Sequence, residues 1–240
     1  MCVIYIAYEQ HPDHPLILLA NRDEFYDRPS APSAYWDGSD NIFGGRDLKG
    51  GGTWLGVTKS GRFAAVTNFR EPGTPAGSRS RGELVAAFLR SDRPAEDHLA
   101  DVEKKGHQYS GFNLLVGQIG RRKELFYSSN RVKGFRELSP GIYGLSNHLL
   151  DTPWPKVTKG RSRLANLIGS LGTSNDELFD ILSDESQASD DDLPSTGLPY
   201  EAEKAVSAIF IKTPNYGTRC STVLRFHRDS EWSFEERVYV

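Results

Sequence analysis

The sequence of 240 residues predicts an α+β protein built from antiparallel strand pairs and grouped helices. Three observations carry that expectation. Apolar, β-branched runs of strand length are joined by short turn sequences: HPDHP joins CVIYIAYE (2–9) to PLILLANRDE (15–24), and KSGR joins WLGVT to FAAVTNF. Helical stretches come in two groups between these hairpins, which indicates layers rather than alternating βαβ winding. With 38% hydrophobic and 25% charged residues, the chain has the balance of a folded protein with a core. No repeat or linker interrupts 1–240, which reads as one domain.

Taken in order, the first hairpin places Cys2 at a strand start and Asn21 to Glu24 at a strand end, and in an antiparallel pair those ends meet. A Pro- and Ser-rich loop leads to GGRDLKGGGTWLGVTKSGRFAAVTNFREPG (44–73), the second hairpin. Its glycines at 44, 45, 50, 51 and 52 suggest close backbone approach, but no Gly-Lys-Ser/Thr follows them, so a phosphate loop is not expected. RGELVAAFLRS (81–91) and PAEDHLADVEKKG (94–106) read as helices, then 112–119, 123–129 and 141–147 as strands.

WPKVTKGRSRLANLIGSL (154–171) sets Val157, Leu164, Leu167, Ile168 and Leu171 near helical spacing, and TSNDELFDILSD (173–184) opens on an N-cap signal. The acidic stretch 183–201 reads as a solvated loop, and AVSAIFIK (205–212), TRCSTVLRFHR (218–228) and WSFEERVYV (232–240) as three closing strands.

A net charge of -3, with no stripe of Lys and Arg, argues against nucleic-acid binding. No apolar run reaches the roughly 20 residues of a transmembrane helix, and no signal-peptide pattern opens the chain, so a cytoplasmic protein is expected. Two cysteines, Cys2 and Cys220, give neither a disulfide framework nor a zinc site, and the six histidines lack metal spacing; no metal is expected.

Cysteine in second position has a distinctive chemistry. Removal of Met1, which a small following side chain permits, gives one residue a thiol and a free α-amine. That amine, with an ordinary pKa of about 7.7 to 8.0, can take the proton of a thiol whose ordinary pKa is about 8.5. Nucleophile and base then share one residue, as in N-terminal threonine nucleophiles. A small buried residue on a first strand is the competing explanation.

MCVIYIA, LLANRDE, GGRDLKGGGTWLGV, AAVTNF, YGLSNHLLDTPWPK and IFIKTPNYGTRCSTVL together resemble the NRDE family, also known as the transport and Golgi organisation protein 2 family. The resemblance runs from residue 2 to about 224. It implies the four-layer α-β-β-α sandwich of the N-terminal nucleophile (Ntn) hydrolases, near the cysteine branch that includes bile-salt hydrolases and penicillin V acylase. By that resemblance Cys2 is the nucleophile and Asp23 orients its amine, although Ala20 stands where the branch has an arginine. Asn68, in Thr67-Asn68-Phe69, and Asn147, in Leu145-Ser146-Asn147, take the oxyanion-hole positions, and Arg219 takes that of a late arginine near the Cys. Turn-stabilising roles for the two asparagines, a local bond for Asp23 and a surface position for Arg219 are the structural alternatives.

Asn21, Trp54 and His148 are candidates for substrate contact, and a haem-ligating role for His148 at a pocket rim is a further expectation. Side-chain alternation sets Asn21 and Asp23 on one face and Arg22 and Glu24 on the other, as an ion pair or a loop anchor. Arg46 and Asp47 are expected to pin the glycine loop. The same alternation separates Arg219 from Cys220, so a Cys2–Cys220 disulfide is not expected. Two functions follow from the resemblance: a cysteine hydrolase or acyltransferase acting on a linear amide or thioester, needing no cofactor, and a carrier of haem or acyl-CoA using the same pocket.

Overall fold

The computed structural model describes residues 2–120, 122–169, 172–229 and 231–240, the side chains of 39 and 40 excepted. Met1, whose removal the nucleophile scheme requires, and Leu171 of the expected helix lie outside the described residues. The chain groups into two compact units, the first comprising residues 1–27, 70–72 and 140–240, the second 28–69 and 73–139.

The first unit is a five-stranded antiparallel sheet of order β10-β1-β2-β11-β12, with β1 Cys2–Tyr8, β2 Leu16–Phe25, β10 Gly141–Leu145, β11 Tyr216–Phe226 and β12 Trp232–Val238. Three further elements complete it: α3 Pro155–Ile168, α4 Asn175–Leu182 and the short α5 Tyr200–Ala205. Alternate residues of the strands, Val3, Tyr5, Ile17, Leu19 and Val223, pack against Leu164 and Ile168 of α3 and Leu178, Phe179 and Leu182 of α4. Gly160 sets how closely α3 lies on β1, because a Cβ there would stand 2.1 Å from the Tyr5 ring. Ser174 and Glu177 form a reciprocal capping box that starts α4, as the sequence indicates.

The second unit is a seven-stranded antiparallel meander, β3 Ser30–Trp36, β4 Ser39–Asp47, β5 Leu55–Thr58, β6 Arg62–Asn68, β7 Phe112–Ile119, β8 Lys123–Ser129 and β9 Phe135–Glu137. Helices α1 Gly82–Leu89 and α2 Ala95–Lys105 cover one face through Val85, Phe88, Leu89 and Leu99, which meet Ala64, Val66, Leu114 and Val116.

Two expectations change. The Pro- and Ser-rich segment after residue 28 is a hairpin, β3 with β4, whose register slips between Ala31 and Ala34 and again at Tyr35. Pro32 is tolerated because β3 is an edge strand. Conversely, 205–212 forms no strand. It meets β11 through a single antiparallel bridge, Lys212 with Gly217, and from Cys220 onward β12 takes that strand. The segment is buried instead with its polar backbone satisfied singly: Phe210 N donates to Asp184 O at 2.8 Å and Ile211 N to Thr218 Oγ1 at 2.9 Å.

Candidate active site around Cys2

Register decides which groups meet at the N-terminal end of β1. Cys2 pairs with Arg22 of β2, and on the far side of β2 Arg22 pairs with Cys220. Directly opposed residues share a face, so the thiol starts on Arg22's side and the Asp23 side chain leaves on the other, with Val3, Tyr5 and Asn21. The thiol still feels the backbone N–H of Asp23 and its carboxylate, while burial holds its pKa above the ordinary value. Ser146, just beyond β10, donates its hydroxyl to Cys2 O at 3.2 Å and to Asn147 Oδ1 at 3.2 Å. The Leu145-Ser146-Asn147 segment therefore lies against Cys2, with Asn147 fully buried.

Asp23 is 1% exposed. Thr218 Oγ1 donates to Asp23 Oδ1 at 2.7 Å and accepts Ile211 N at 2.9 Å, which directs the hydroxyl proton at the carboxylate. Burial pushes the Asp23 pKa up to about 6, against the pull of Lys156, Thr218 and Arg70. Lys156, 3% exposed at the second position of α3, donates Nζ to Val206 O at 2.8 Å; burial brings it down to about 8, with Asp23 acting the other way. Arg70 forms a buried ion pair with Glu203 and lies 4.7 Å from the Trp154 ring centre, while its backbone N donates to Asn147 O at 2.7 Å. Tyr216 has its pKa raised well above the ordinary value, first by burial and then by Asp23 and Cys2.

The structure thus gathers Cys2, Asp23 and Asn147 with four groups the sequence did not single out, Arg70, Lys156, Tyr216 and Thr218. Lys156 stood in a quoted motif, DTPWPK, where a lysine in a polar helix start gives no sign of burial. Only the register of β11 against β2 reveals Thr218.

Several expectations are corrected. Asn21 does not present its amide to a substrate: Nδ2 donates to Leu182 O at 2.8 Å and Ile209 O at 2.9 Å, and Oδ1 accepts Ser221 Oγ at 2.6 Å, at zero exposure. Arg219 is the extra residue of a bulge between Thr218 and Cys220, so it and Cys220 together oppose Arg22, and strict alternation fails there. Its guanidinium donates to Phe25 O and Val240 O, both at 3.3 Å, across β2 from Cys2. Cys2 and Cys220 are both free thiols. They share a face, but two strand spacings separate them by roughly 10 Å, beyond the ~7 Å Cα limit of a disulfide. Glu24 Oε1 accepts the N–H of Phe25 at 2.9 Å.

In the second unit, Asn68 closes β6 opposite Phe112. Trp54 lies over Gly45, where a Cβ would stand 2.3 Å from the indole. Arg46 stacks 4.4 Å from the Trp36 ring centre. Asp47 holds the glycine loop: its carboxylate accepts Lys49 N at 3.1 Å and Gly50 N at 3.0 Å and pairs with Arg28 at 2.7 Å. In the first unit, His148 shares a 2.9 Å hydrogen bond with Thr152 Oγ1 and packs 5.8 Å from Trp154. A cleft of about 500 Å³ opens in the second unit between Val102, His107, Phe112 and Lys133, and holds none of the expected site residues. No helix of the described residues is long and apolar enough to cross a membrane.

The profile of the family described as Transport and Golgi organisation 2 matches residues 1–240. A Bos taurus relative, Transport and Golgi organization protein 2 homolog, is 38% identical, with 99% of this chain and 92% of the relative covered; the Homo sapiens homolog is 35% identical over the same shares. Among solved structures, a Caenorhabditis elegans N-acylethanolamine-hydrolyzing acid amidase ortholog is similar over 100% of both chains, at TM-score 0.55 and 12% identity. That likeness shows the fold, which is of the Ntn hydrolase type.

Proposed function

The chain belongs to the Transport and Golgi organisation 2 family, and from that premise we propose that it is a cysteine hydrolase or acyltransferase of linear amide or thioester bonds, with Cys2 as nucleophile. One observation carries the reading: the Cys2 thiol at the first strand position meets the backbone N–H of Asp23 and feels its buried carboxylate, whose own position is fixed by Thr218. The similar solved structure is that of an N-acylethanolamine-hydrolyzing amidase, which makes N-acyl amides the first substrate class to test.

In this reading Met1 is removed and the Cys2 α-amine becomes the base. A thiol whose pKa is raised by burial stays protonated at neutral pH and needs such a base to become a nucleophile. As sulfur attacks the carbonyl carbon, the thiol proton passes to the amine. The amine returns it to the leaving nitrogen as the C–N bond breaks, and an acyl thioester remains on Cys2. Water then attacks the thioester, releases the acid and restores the thiol; with another acceptor in place of water the outcome is acyl transfer. Asp23 holds the ammonium form of the base, and Asn147, next to the Cys2 carbonyl through Ser146, is the oxyanion donor.

The test is the intact mass of protein expressed with its natural start, before and after incubation with a long-chain N-acylethanolamine. Loss of Met1 and an acyl adduct that vanishes in Cys2→Ala support the mechanism. Asn147→Ala then slows adduct formation by about 10² to 10³. Retention of Met1 removes the base. Stoichiometric haem binding that survives Cys2→Ala, with no adduct, would assign the carrier function instead.

A further inference from the structure

Where α2 ends, the second unit opens a cleft of about 500 Å³ that the chemistry of Cys2 does not use. Strand pairing sets its floor. The face of β7 and β8 that lies under α1 and α2 is apolar at Phe112, Leu114, Val116 and Phe126. Ser128 comes next in that row, two residues after Phe126 and opposite Leu114, and is 4% exposed. A polar residue thus interrupts the apolar layer at the point where the helix stops covering it. Ser129 beside it is fully engaged: its Oγ donates to Phe112 O at 2.7 Å and accepts Arg131 N at 3.2 Å. The Ser128 hydroxyl bonds no group among the described residues, and it lines the cleft with Val102 and Phe112.

The rim is cationic. Between Asn130 and Gly134, residues that suit a turn, stand Arg131, Val132 and Lys133, and Val132 is 42% exposed. The two cations face one carboxylate, Glu103 of α2, whose Oε1 accepts Gly134 N at 2.8 Å. Lys133 makes no ion pair among the described residues. Carbonyl groups just beyond the end of α2, which would repel an anion, are turned to Asn130. Its Nδ2 donates to Gly106 O at 3.0 Å and to Tyr109 O and Ser110 O at 3.3 Å, and its Oδ1 accepts Phe112 N at 2.9 Å. These bonds tie the walls to one another before any ligand arrives.

We propose that this cleft binds a small organic anion. Its apolar body lies against Val102, Phe112 and Val132, a polar atom on that body bonds the Ser128 hydroxyl, and a carboxylate or phosphate group is held by Arg131 and Lys133, with His107 as a further donor. The volume is that of a small-molecule site, and the cations supply the selectivity for negative charge. The site lies wholly within the second unit and does not depend on the nucleophile reading.

The test titrates the 15N-labelled full chain with three probes that share one body: 6-hydroxy-2-naphthoate, 6-hydroxy-2-naphthyl phosphate and the uncharged 6-hydroxy-2-naphthamide. Saturable amide shifts should cluster at 102–107, 112 and 128–134, with at least one anion binding about tenfold or more tighter than the amide. The tighter of the two anions names the head group. Charge reversal in the double variant Arg131→Glu, Lys133→Glu, at two exposed side chains, should weaken that anion by about tenfold or more and leave the amide as it was. Ser128→Ala should weaken all three probes by about threefold. Should the double variant not fold, the wild type gives the same answer: added salt must weaken the anion and spare the amide. Absence of shifts at the cleft, shifts confined to the surroundings of Cys2, equal binding of the amide, or an anion affinity indifferent to both charge reversal and salt overturns the proposal.

Discussion

Asp23 should cost the protein stability, and the cost can be measured. Burial lifts its pKa from 3.8 to about 6, net of the help from Lys156, Thr218 and Arg70. At 1.36 kcal/mol per unit, ionising it inside the fold is worse than ionising it in the unfolded chain by about 3 kcal/mol, with no discount for solvent at 1% exposure. The sign follows from linkage. The folded state holds this proton more tightly, so the penalty is absent below pH 3.8, grows between 3.8 and about 6, and is complete above that. Asn is shaped like the protonated acid and keeps an oxygen for the Thr218 hydroxyl. Asp23→Asn should therefore be more stable than wild type by about 3 kcal/mol at pH 7.5 and level with it near pH 4, while losing Cys2 acylation. Urea unfolding followed by fluorescence of the four tryptophans reads both pH values, with an unchanged m value as the check on the comparison. A variant no more stable at pH 7.5, or a gap of equal size at both pH values, would refute the reasoning. A confirmed gain would mark Asp23 as a residue kept for function at the expense of stability.

Two further substitutions probe the scaffold. Asn21→Ala leaves Leu182 O, Ile209 O and the Ser221 hydroxyl without their amide partner in a fully buried place, so thermal unfolding should show a loss of about 3 kcal/mol or more, with acylation of the folded fraction intact. Unchanged stability with weaker substrate affinity would return Asn21 to the substrate. His98 of α2 has its pKa lowered to about 4, by burial first and then by Arg62 and Arg93. The fold prefers its neutral form, so its contribution is present above pH 6.5 and falls away as the pH drops toward about 4, by up to roughly 3 kcal/mol. His98→Gln should flatten that acid limb in urea titrations. Asp23 acts oppositely over much of this range, so the effect is clearest in the Asp23→Asn background.

Sequence alone determined the local elements and the family. The helices over 81–91, 94–106, 154–171 and 173–184 and most strands were legible because their period, caps and turns are encoded within a few residues. Cys2 stood out because its chemistry depends only on its place in the chain. Tertiary structure decided what depends on register and burial. The edge hairpin at 30–47 is too polar to announce itself, and the apolar run 205–212 mimics a strand although it makes only one bridge to β11, Lys212 with Gly217. The pairing of Cys2 with Arg22 rather than Asp23, and the bulge at Arg219, fix which side chains share a face, and one extra residue in one strand reverses that assignment. Lys156, Arg70 and Thr218 come to Asp23 from α3, residues 70–72 and β11. A cation's desolvation, and therefore its meaning, is a property of everything packed around it, which no stretch of sequence contains.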